Sequence, residues 1–261
     1  MQQKIIFFDI DGTILSHRNY TISDSTRDSI RQAKANGHLV YINTGRTIAE
    51  IDDEIKEIGF DGYVCGCGTY ISYHSSVLLH TTLDDSIRQA IIQDIQEYQL
   101  DAVLEGSNAI YFDSQVTNEK IIFIKDMYQK KLFSVLNWDA SDVSFDKFCI
   151  WSSSQKAANS FHEKYEDRFD FIFRNGHLME VVPKGYSKAT GIEFLLKHLN
   201  ISHENAYALG DSANDFTMLK YVKHSIGMGN SEELIRNMVS YLTKDVDDGG
   251  VEHALRHFQM I

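Results

Sequence analysis

Apolar residues fall in short blocks near both ends of the chain and alternate there with amphipathic stretches. The block Ile5-Ile6-Phe7-Phe8 predicts a buried strand over Lys4–Asp9. A helix over Ser23–Asn36 follows, because Ser23 suits an N-cap and Gly37 the left-handed position after a helix. His38–Asn43 is the second strand, and Thr47–Ile58 the next helix, stopped by Gly59. Asp61–Cys65, Thr69–Tyr73 and Val77–His80 read as further strands. The style resumes at Ser187–Leu199, a helix carrying Ile192, Leu195, Leu196 and Leu199 at helical spacing. After it come a strand at Ala206–Gly210, a helix at Ala213–Lys220 and a strand at Lys223–Ile226. A helix at Glu232–Asn237, a strand at Tyr241–Thr243 and a helix from Gly250 complete the series. This alternation is that of βα units wound around a mostly parallel sheet, an α/β fold.

The middle of the chain has another texture. It predicts a helix at Asp84–Tyr98, strands near Asp101–Leu104 and Ala109–Phe112, a helical patch from Asn118 and a strand-like Val143–Trp151. Gln155–Glu166 is helical, and Phe169–Arg174 with His177–Val182 flank Asn175-Gly176, a strong type I′ hairpin signal. The only proline, Pro183, suits a boundary because it fixes the backbone and stops the preceding strand. The expected division is therefore a core of residues 1–81 and 184–261, interrupted by an inserted α+β domain of residues 82–183.

Composition narrows the function. With 25 Lys+Arg against 37 Asp+Glu, the net charge of −12 repels nucleic-acid backbones and anionic lipids, so neither is an expected partner. The apolar run near Met1 is too short for a signal peptide, and no apolar stretch approaches the roughly 18 residues of a membrane span, so a cytoplasmic location is expected. The three cysteines are too few for a disulfide framework, and Cys65-Gly66-Cys67 has no second pair to complete a zinc site. His253 and His257, four apart on a predicted helix, lack a third ligand and are expected to face solvent. Gly227-x-Gly229 lacks the third glycine of a dinucleotide fingerprint and reads as a turn.

The candidate chemistry lies where apolar runs end, since open parallel sheets bind ligands beyond the carboxyl ends of their strands. The first run ends in Asp9-Ile10-Asp11-Gly12-Thr13, the second in Asn43-Thr44-Gly45-Arg46, and Ala206–Leu209 in Gly210-Asp211-Ser212-Ala213-Asn214-Asp215. If these strands are neighbours, Asp9, Asp11, Asp211 and Asp215 converge, and so many carboxylates demand a cation. A hard divalent ion held by oxygen donors with retained water suits Mg²⁺ and a phosphate ligand. Thr44, Gly45, Arg46, Lys188 and Asn214 are the candidate holders of the phosphate oxygens.

Asp9-x-Asp11-Gly12-Thr13, Thr44-Gly45-Arg46, Lys184-Gly185-x-x-Lys188 and Gly210-Asp211-x-x-Asn214-Asp215 resemble, in order, the four motifs of the haloacid dehalogenase-like (HAD) hydrolases. The insertion, together with Gly227-Met228-Gly229-Asn230 and Asp248-Gly249-Gly250-Val251, is similar to the Cof-type phosphatases of that superfamily. One departure is Cys67-Gly68-Thr69, where Cof-type proteins commonly carry Asn-Gly-Ala. The resemblance implies a HAD-like doubly wound core with an inserted cap that sets substrate specificity. It implies that Asp9 attacks phosphorus and forms an aspartyl-phosphate, that Asp11 is general acid and base, and that Lys188 neutralises charge. Mg²⁺ would be bound by Asp9, the Asp11 carbonyl and Asp211, with Asp215 in support. The implied activity is a phosphatase for a small metabolite, a sugar phosphate or a cofactor such as flavin mononucleotide or pyridoxal phosphate. A phosphosugar mutase and a non-catalytic phospho-ligand-binding module are the alternatives, and a monomer is the simplest expectation. A receiver-type phosphoacceptor fits poorly, because Val64-Cys65-Gly66 stands where its Asp would be.

Overall fold

In a computed structural model, which describes residues 3–139, 142–152, 154–173 and 178–261, the apolar blocks become the inner strands of two sheets. In chain order the elements are β1 (Ile5–Phe8), α1 (Asp24–Ala35), β2 (Leu39–Asn43), α2 (Asp53–Lys56), β3 (Gly62–Cys65), β4 (Tyr70–Tyr73) and β5 (Ser76–His80). There follow α3 (Asp85–Glu97), β6 (Asp101–Glu105), β7 (Ile110–Phe112), α4 (Glu119–Lys130), β8 (Val135–Asn137), β9 (Lys147–Trp151), α5 (Gln155–Tyr165), β10 (Phe169–Phe173) and β11 (Leu178–Pro183). The last part holds α6 (Lys188–His198), β12 (Ala206–Gly210), α7 (Phe216–Tyr221), β13 (His224–Gly227), α8 (Glu233–Arg236), β14 (Tyr241–Leu242) and α9 (Gly250–His257).

These elements form two units, one of Met1–Gly45, Asp53–Leu78 and Ser187–Ile261, the other of Arg46–Asp52 and Leu79–Tyr186. The first carries an eight-stranded sheet ordered β14-β13-β12-β1-β2-β3-β4-β5, parallel from β14 to β3. All four residues of β1 are buried, as a parallel strand needs to be when helices cover both faces. The pairs α1–α9 and α6–α7 provide that cover. Because the chain passes from β1 to β2 on one side and β12 lies on the other, the end of β1 is a topological switch point.

The second unit is α+β. Its six-stranded sheet is ordered β10-β11-β9-β6-β7-β8, antiparallel except for the β7–β8 pair. One face, with Leu104, Phe148, Ile150 and Val181, packs against Ile91 and Ile95 of α3 and Phe161 and Tyr165 of α5. The other face, with Val103, Phe112 and Trp151, packs against Ile121 of α4. Strand alternation puts Glu105, Lys147 and Glu180 on this second face, where Lys147 pairs with both carboxylates and all three are buried. The chain segments leading into and out of the insertion meet at Thr81, whose hydroxyl donates to that of Tyr186 at 2.8 Å.

Several predicted elements change. The helix expected over Thr47–Ile58 is a 3₁₀ turn at Ile48–Glu50 followed by the short α2, with Ile51 extended between them. Thr47 and Glu50 close a capping box on each other and Arg46 draws Asp52 back, so the intervening backbone leaves the helical path. Val143–Trp151 is a strand only from Lys147, and β8 has no counterpart among the predicted strands. The Asn175-Gly176 turn lies outside the described residues; the strands beside it, β10 and β11, pair antiparallel.

Candidate active site

Three strand ends of the first unit build the site. The Asp9 amide, one residue past β1, donates to the Leu209 carbonyl of β12 at 3.1 Å, which locks the first carboxylate beside the β12 end. Gly12 then turns at φ +81°, and a Cβ there would lie 2.4 Å from Asp211 Oδ2; glycine alone permits that approach. Thr13 Oγ1 donates to Asp211 Oδ1 at 3.2 Å. At Gly210 a Cβ would meet the Asp215 carboxyl at 2.6 Å, so the same device seats the fourth carboxylate.

Lys188 is the first residue of α6, where Ser187 accepts from the Thr190 amide and Thr190 Oγ1 accepts from the Ser187 amide. A cation at this helix end opposes the helix dipole by about 0.3–1 kcal/mol. What outweighs that cost is a pair of contacts: Lys188 Nζ stands 2.6 Å from Asp9 Oδ1 and 2.6 Å from Asp215 Oδ1. Burial disfavours the ammonium, but Asp215 and Asp9 outweigh it and hold the Lys188 pKa above its ordinary range. Asn43, closing β2, donates from Nδ2 to the Lys188 carbonyl at 2.9 Å, and a Cβ at Gly68 would meet the Ser187 carbonyl at 2.6 Å. The start of α6 is thus keyed to the ends of both β2 and β3.

The carboxylates differ in what they have left to give. Asp215 is saturated: Oδ1 is on Lys188, and Oδ2 accepts from the Asp211 and Ser212 amides at 2.9 and 3.1 Å. Asp9 has Lys188 on Oδ1, while its Oδ2 is buried without a partner. Burial first, then Asp215, raise the Asp9 pKa well above the usual carboxylate range against the pull of Lys188. Burial also raises Asp211, partly offset by His17, whose Nε2 lies 3.8 Å away and whose own pKa is raised by the Asp211 carboxylate. Carboxylate oxygens of Asp9, Asp211 and Asp215 lie within 4.8 Å of one another. A buried carboxylate oxygen without a partner, in a set of hard oxygen donors, fits a divalent cation such as Mg²⁺.

The other predicted site residues are placed unequally. Asp11 is half-buried and acts on Asp9 electrostatically. Thr44 is buried, donates its amide to the Val64 carbonyl at 2.9 Å and accepts from the Cys67 amide at 3.1 Å. Gly45 ends the first of the three segments that make up the first unit. Asn214 is half-buried and accepts from Ser212 Oγ. Arg46 belongs to the second unit, where its guanidinium lies 3.0 Å from Asp52 Oδ2 and 3.3 Å from the Glu50 carbonyl. Residues that sequence reasoning gave no role include Thr13, Asn43 and His17. Asn230 is another, donating to the Gly12 carbonyl at 2.8 Å and accepting from the Val246 amide. Asn43 and Asn230 stood inside quoted motifs, whereas His17 carries no sequence signal.

Outside this site, Ser107 Oγ and the Asp146 carboxylate both face the same His80 nitrogen, Nε2, at 2.6 and 3.2 Å. His257 is exposed as expected, stacked on Tyr241 at 3.9 Å, whereas His253 is half-buried with Nδ1 3.1 Å from Thr243 Oγ1. The aromatic ring of Tyr241 captures both imidazoles.

Comparison with known proteins adds an independent line. The haloacid dehalogenase-like hydrolase family matches residues 6–255. YkrA of Bacillus subtilis is 26% identical over 278 residues, with both chains covered in full. The HMP-PP phosphatase of Yersinia pseudotuberculosis is 24% identical over 263 residues, covering 98% of this chain and 95% of its own. A solved sugar phosphatase of HAD subclass IIB shares the fold, with a TM-score of 0.83, 22% identity and 99% and 100% coverage.

Proposed function

The chain belongs to the haloacid dehalogenase-like hydrolases, and from that premise we propose that it is a Mg²⁺-dependent phosphatase for a small phosphorylated metabolite, working through an aspartyl-phosphate on Asp9. The observation that carries this reading is the division of labour at Lys188, which holds Asp9 Oδ1 and Asp215 Oδ1 while Asp9 Oδ2 stays without a protein partner. A carboxylate fixed at one oxygen and open at the other is oriented for attack and for metal binding.

The reaction runs in two displacements. An Asp9 oxygen forms a bond to phosphorus as the phosphorus–oxygen ester bond breaks, and Asp11 gives its proton to the leaving oxygen. Asp11, now the base, takes a proton from water, whose oxygen bonds to phosphorus and releases the Asp9 carboxylate and phosphate. Lys188 offsets the charge on Asp9 and the phosphoryl group throughout. Thr44, the Gly45 amide and Asn214 hold the non-reacting phosphate oxygens. Asp9, the Asp11 carbonyl and Asp211 would hold Mg²⁺, which supplies positive charge against the phosphate in this acidic chain; Asp215, with both oxygens engaged, orients Lys188 and the turn after β12. Substrate selection is assigned to the second unit. The names of two relatives, an HMP-PP phosphatase and a sugar phosphatase, favour sugar phosphates and phosphorylated cofactor precursors.

The test is phosphate release from p-nitrophenyl phosphate and a panel of metabolite monophosphates, with Mg²⁺ and with excess chelator. Release is expected only with metal, and Asp9→Asn is expected to lose more than about a hundredfold in turnover because an amide forms no acyl phosphate. Turnover that needs a bisphosphate activator would instead show a mutase, and folded protein that releases nothing from any compound would show a binding module.

A further inference from the structure

Asn230, three residues past β13, reaches back to the turn that follows β1, and both ends of its carboxamide are engaged. Its Nδ2 donates to the Gly12 carbonyl at 2.8 Å, and its Oδ1 accepts from the Val246 amide at 2.9 Å. One half-buried side chain thus ties the turn after β1 to the turn after β14. The segment that carries Asn230 is itself firmly seated. The Gly229 amide donates to the Lys244 carbonyl at 2.8 Å, and a Cβ at Gly229 would lie 2.4 Å from the Asp245 amide nitrogen, so these two turns run backbone on backbone. On its other side the Met228 amide donates to the Gly210 carbonyl at 3.1 Å and the Glu232 amide to the Asp211 carbonyl at 2.9 Å. The residues around Asn230 are therefore docked on the turn that presents Asp211. All of these contacts lie within the first unit.

The Gly12 end of this tie matters because a glycine has little backbone restraint of its own. Both peptide planes beside Gly12 are held by outside partners. The Gly12 amide donates to the Leu15 carbonyl at 2.8 Å, and in a trans peptide that turns the Asp11 carbonyl to the opposite side. The next plane is held by Asn230 on the Gly12 carbonyl and by the Thr13 amide on the Ile10 carbonyl at 3.2 Å. We propose that Asn230 is a positioning residue for the metal site. By holding the Gly12 carbonyl it sets the direction of the Asp11 carbonyl, and because its own segment is docked at Asp211 it fixes that carbonyl relative to the Asp211 carboxylate. Without the tie, metal binding would itself have to order the glycine turn, which weakens affinity. The inference rests on the phosphatase reading above for the Asp11 carbonyl as a ligand, and Asn230 acts through Gly12 and not on the cation.

The experiment compares wild type with Asn230→Ala, Asn230→Asp and Val246→Pro. Asn230→Asp keeps the acceptor for the Val246 amide and replaces the donor with an oxygen that faces the Gly12 carbonyl; its added charge alone would tighten a cation, so weaker binding follows from the lost donor. Val246→Pro removes the amide on which Asn230 Oδ1 rests, at the first position of a 3₁₀ turn, where the φ of proline fits and the preceding Asp245 is already extended at ψ 152°. Mn²⁺ binding is read from the electron paramagnetic resonance of the free ion, Mg²⁺ binding from displacement of Mn²⁺, and stability from melting in chelator. Both Asn230 variants are expected to bind the two ions about tenfold more weakly, the scale for residues that orient metal ligands, and Val246→Pro about threefold more weakly. The Mg²⁺ needed for half-maximal hydrolysis of p-nitrophenyl phosphate should rise in parallel, with kcat at saturating Mg²⁺ within about threefold of wild type. Lower melting temperatures with wild-type metal affinity would make Asn230 a folding residue and overturn the inference. A lower kcat at unchanged metal affinity would overturn it too, by moving the effect to the acid Asp11. A wild type that binds Mn²⁺ more tightly than the variants but hydrolyses nothing overturns the phosphatase reading alone; a wild type that binds no Mn²⁺ overturns the metal assignment and this inference with it.

Discussion

Each unit of the molecule buries one lysine between two carboxylates. In the first, Lys188 lies between Asp9 and Asp215; in the second, Lys147 lies between Glu105 and Glu180. The surroundings separate them. Lys147 and its partners sit on three adjacent strands, β6, β9 and β11, in cross-strand positions that the ladder itself creates, and Glu105 faces Lys147 directly in register. Lys188 reaches its partners from a helix start, across 179 and 27 residues of sequence, against the helix dipole. Its cluster also holds a third carboxylate, Asp211, and a buried oxygen with no partner. A buried ion triad by itself says little about function, since such groups often stabilise less than apolar residues of the same volume. Local conflict and an unsatisfied atom together are the informative signs.

The comparison can be broken, and the largest effect should come from Lys188→Met. Removing the ammonium leaves Asp9 and Asp215 as buried, unneutralised carboxylates, and activity on p-nitrophenyl phosphate should fall by more than about a hundredfold. Equal activity would mean that the cluster is structural after all. Asp11→Asn should come next, with a loss above about tenfold that is larger for alkyl phosphates than for p-nitrophenyl phosphate, whose leaving group needs no proton. A uniform loss across leaving groups would remove Asp11 as the acid.

Lys147→Met sharpens the contrast from the other side. Breaking that triad costs about 3–5 kcal/mol, which lowers the melting temperature by about 10 °C in a chain of this size, while turnover of p-nitrophenyl phosphate stays within about threefold. Loss of activity in folded protein would erase the distinction between the two lysines. The smallest effect is a pH dependence at Glu105, whose pKa burial raises to about 7 despite Lys147. A folded pKa above the unfolded value means that this contribution to stability is complete below about pH 4.5 and fades as pH rises through about 7. Melting temperatures of wild type and Glu105→Gln at pH 5 and pH 8 should therefore show a larger loss with rising pH in wild type; parallel curves would refute the shift.

Much of the first unit was legible because its strands are pure apolar runs and its chemistry sits at their ends. β1, β2 and β12 needed no alternation to be recognised, being buried on both faces. What escaped was whatever depends on partners far away in sequence. The helix expected over Thr47–Ile58 has good local periodicity, but the Arg46–Asp52 pair and the Thr47–Glu50 box break it, and Tyr128, which donates to Glu50, lies on a helix some eighty residues later. β8 is three residues long and half exposed, too short for a period-two signal. Glu105, Lys147 and Glu180 look like solvent-facing positions of amphipathic strands, since nothing in one strand shows that its neighbours supply the opposite charges.

The position of β12 in the sheet has a consequence for how the protein is made. β1 lies between β2 and β12, and β12 begins at residue 206. On the ribosome, β1, β2 and β3 emerge with Leu79–Tyr186 still to come, and one edge of β1, apolar at all four positions, stays open until β12, which begins at residue 206, has been synthesised. The second unit, contiguous from Leu79 to Tyr186 apart from Arg46–Asp52, can close on itself during that interval, joining its two ends at Thr81 and Tyr186. Until β12 is made, the open side of β1 is therefore a strand edge exposed to wrong pairing.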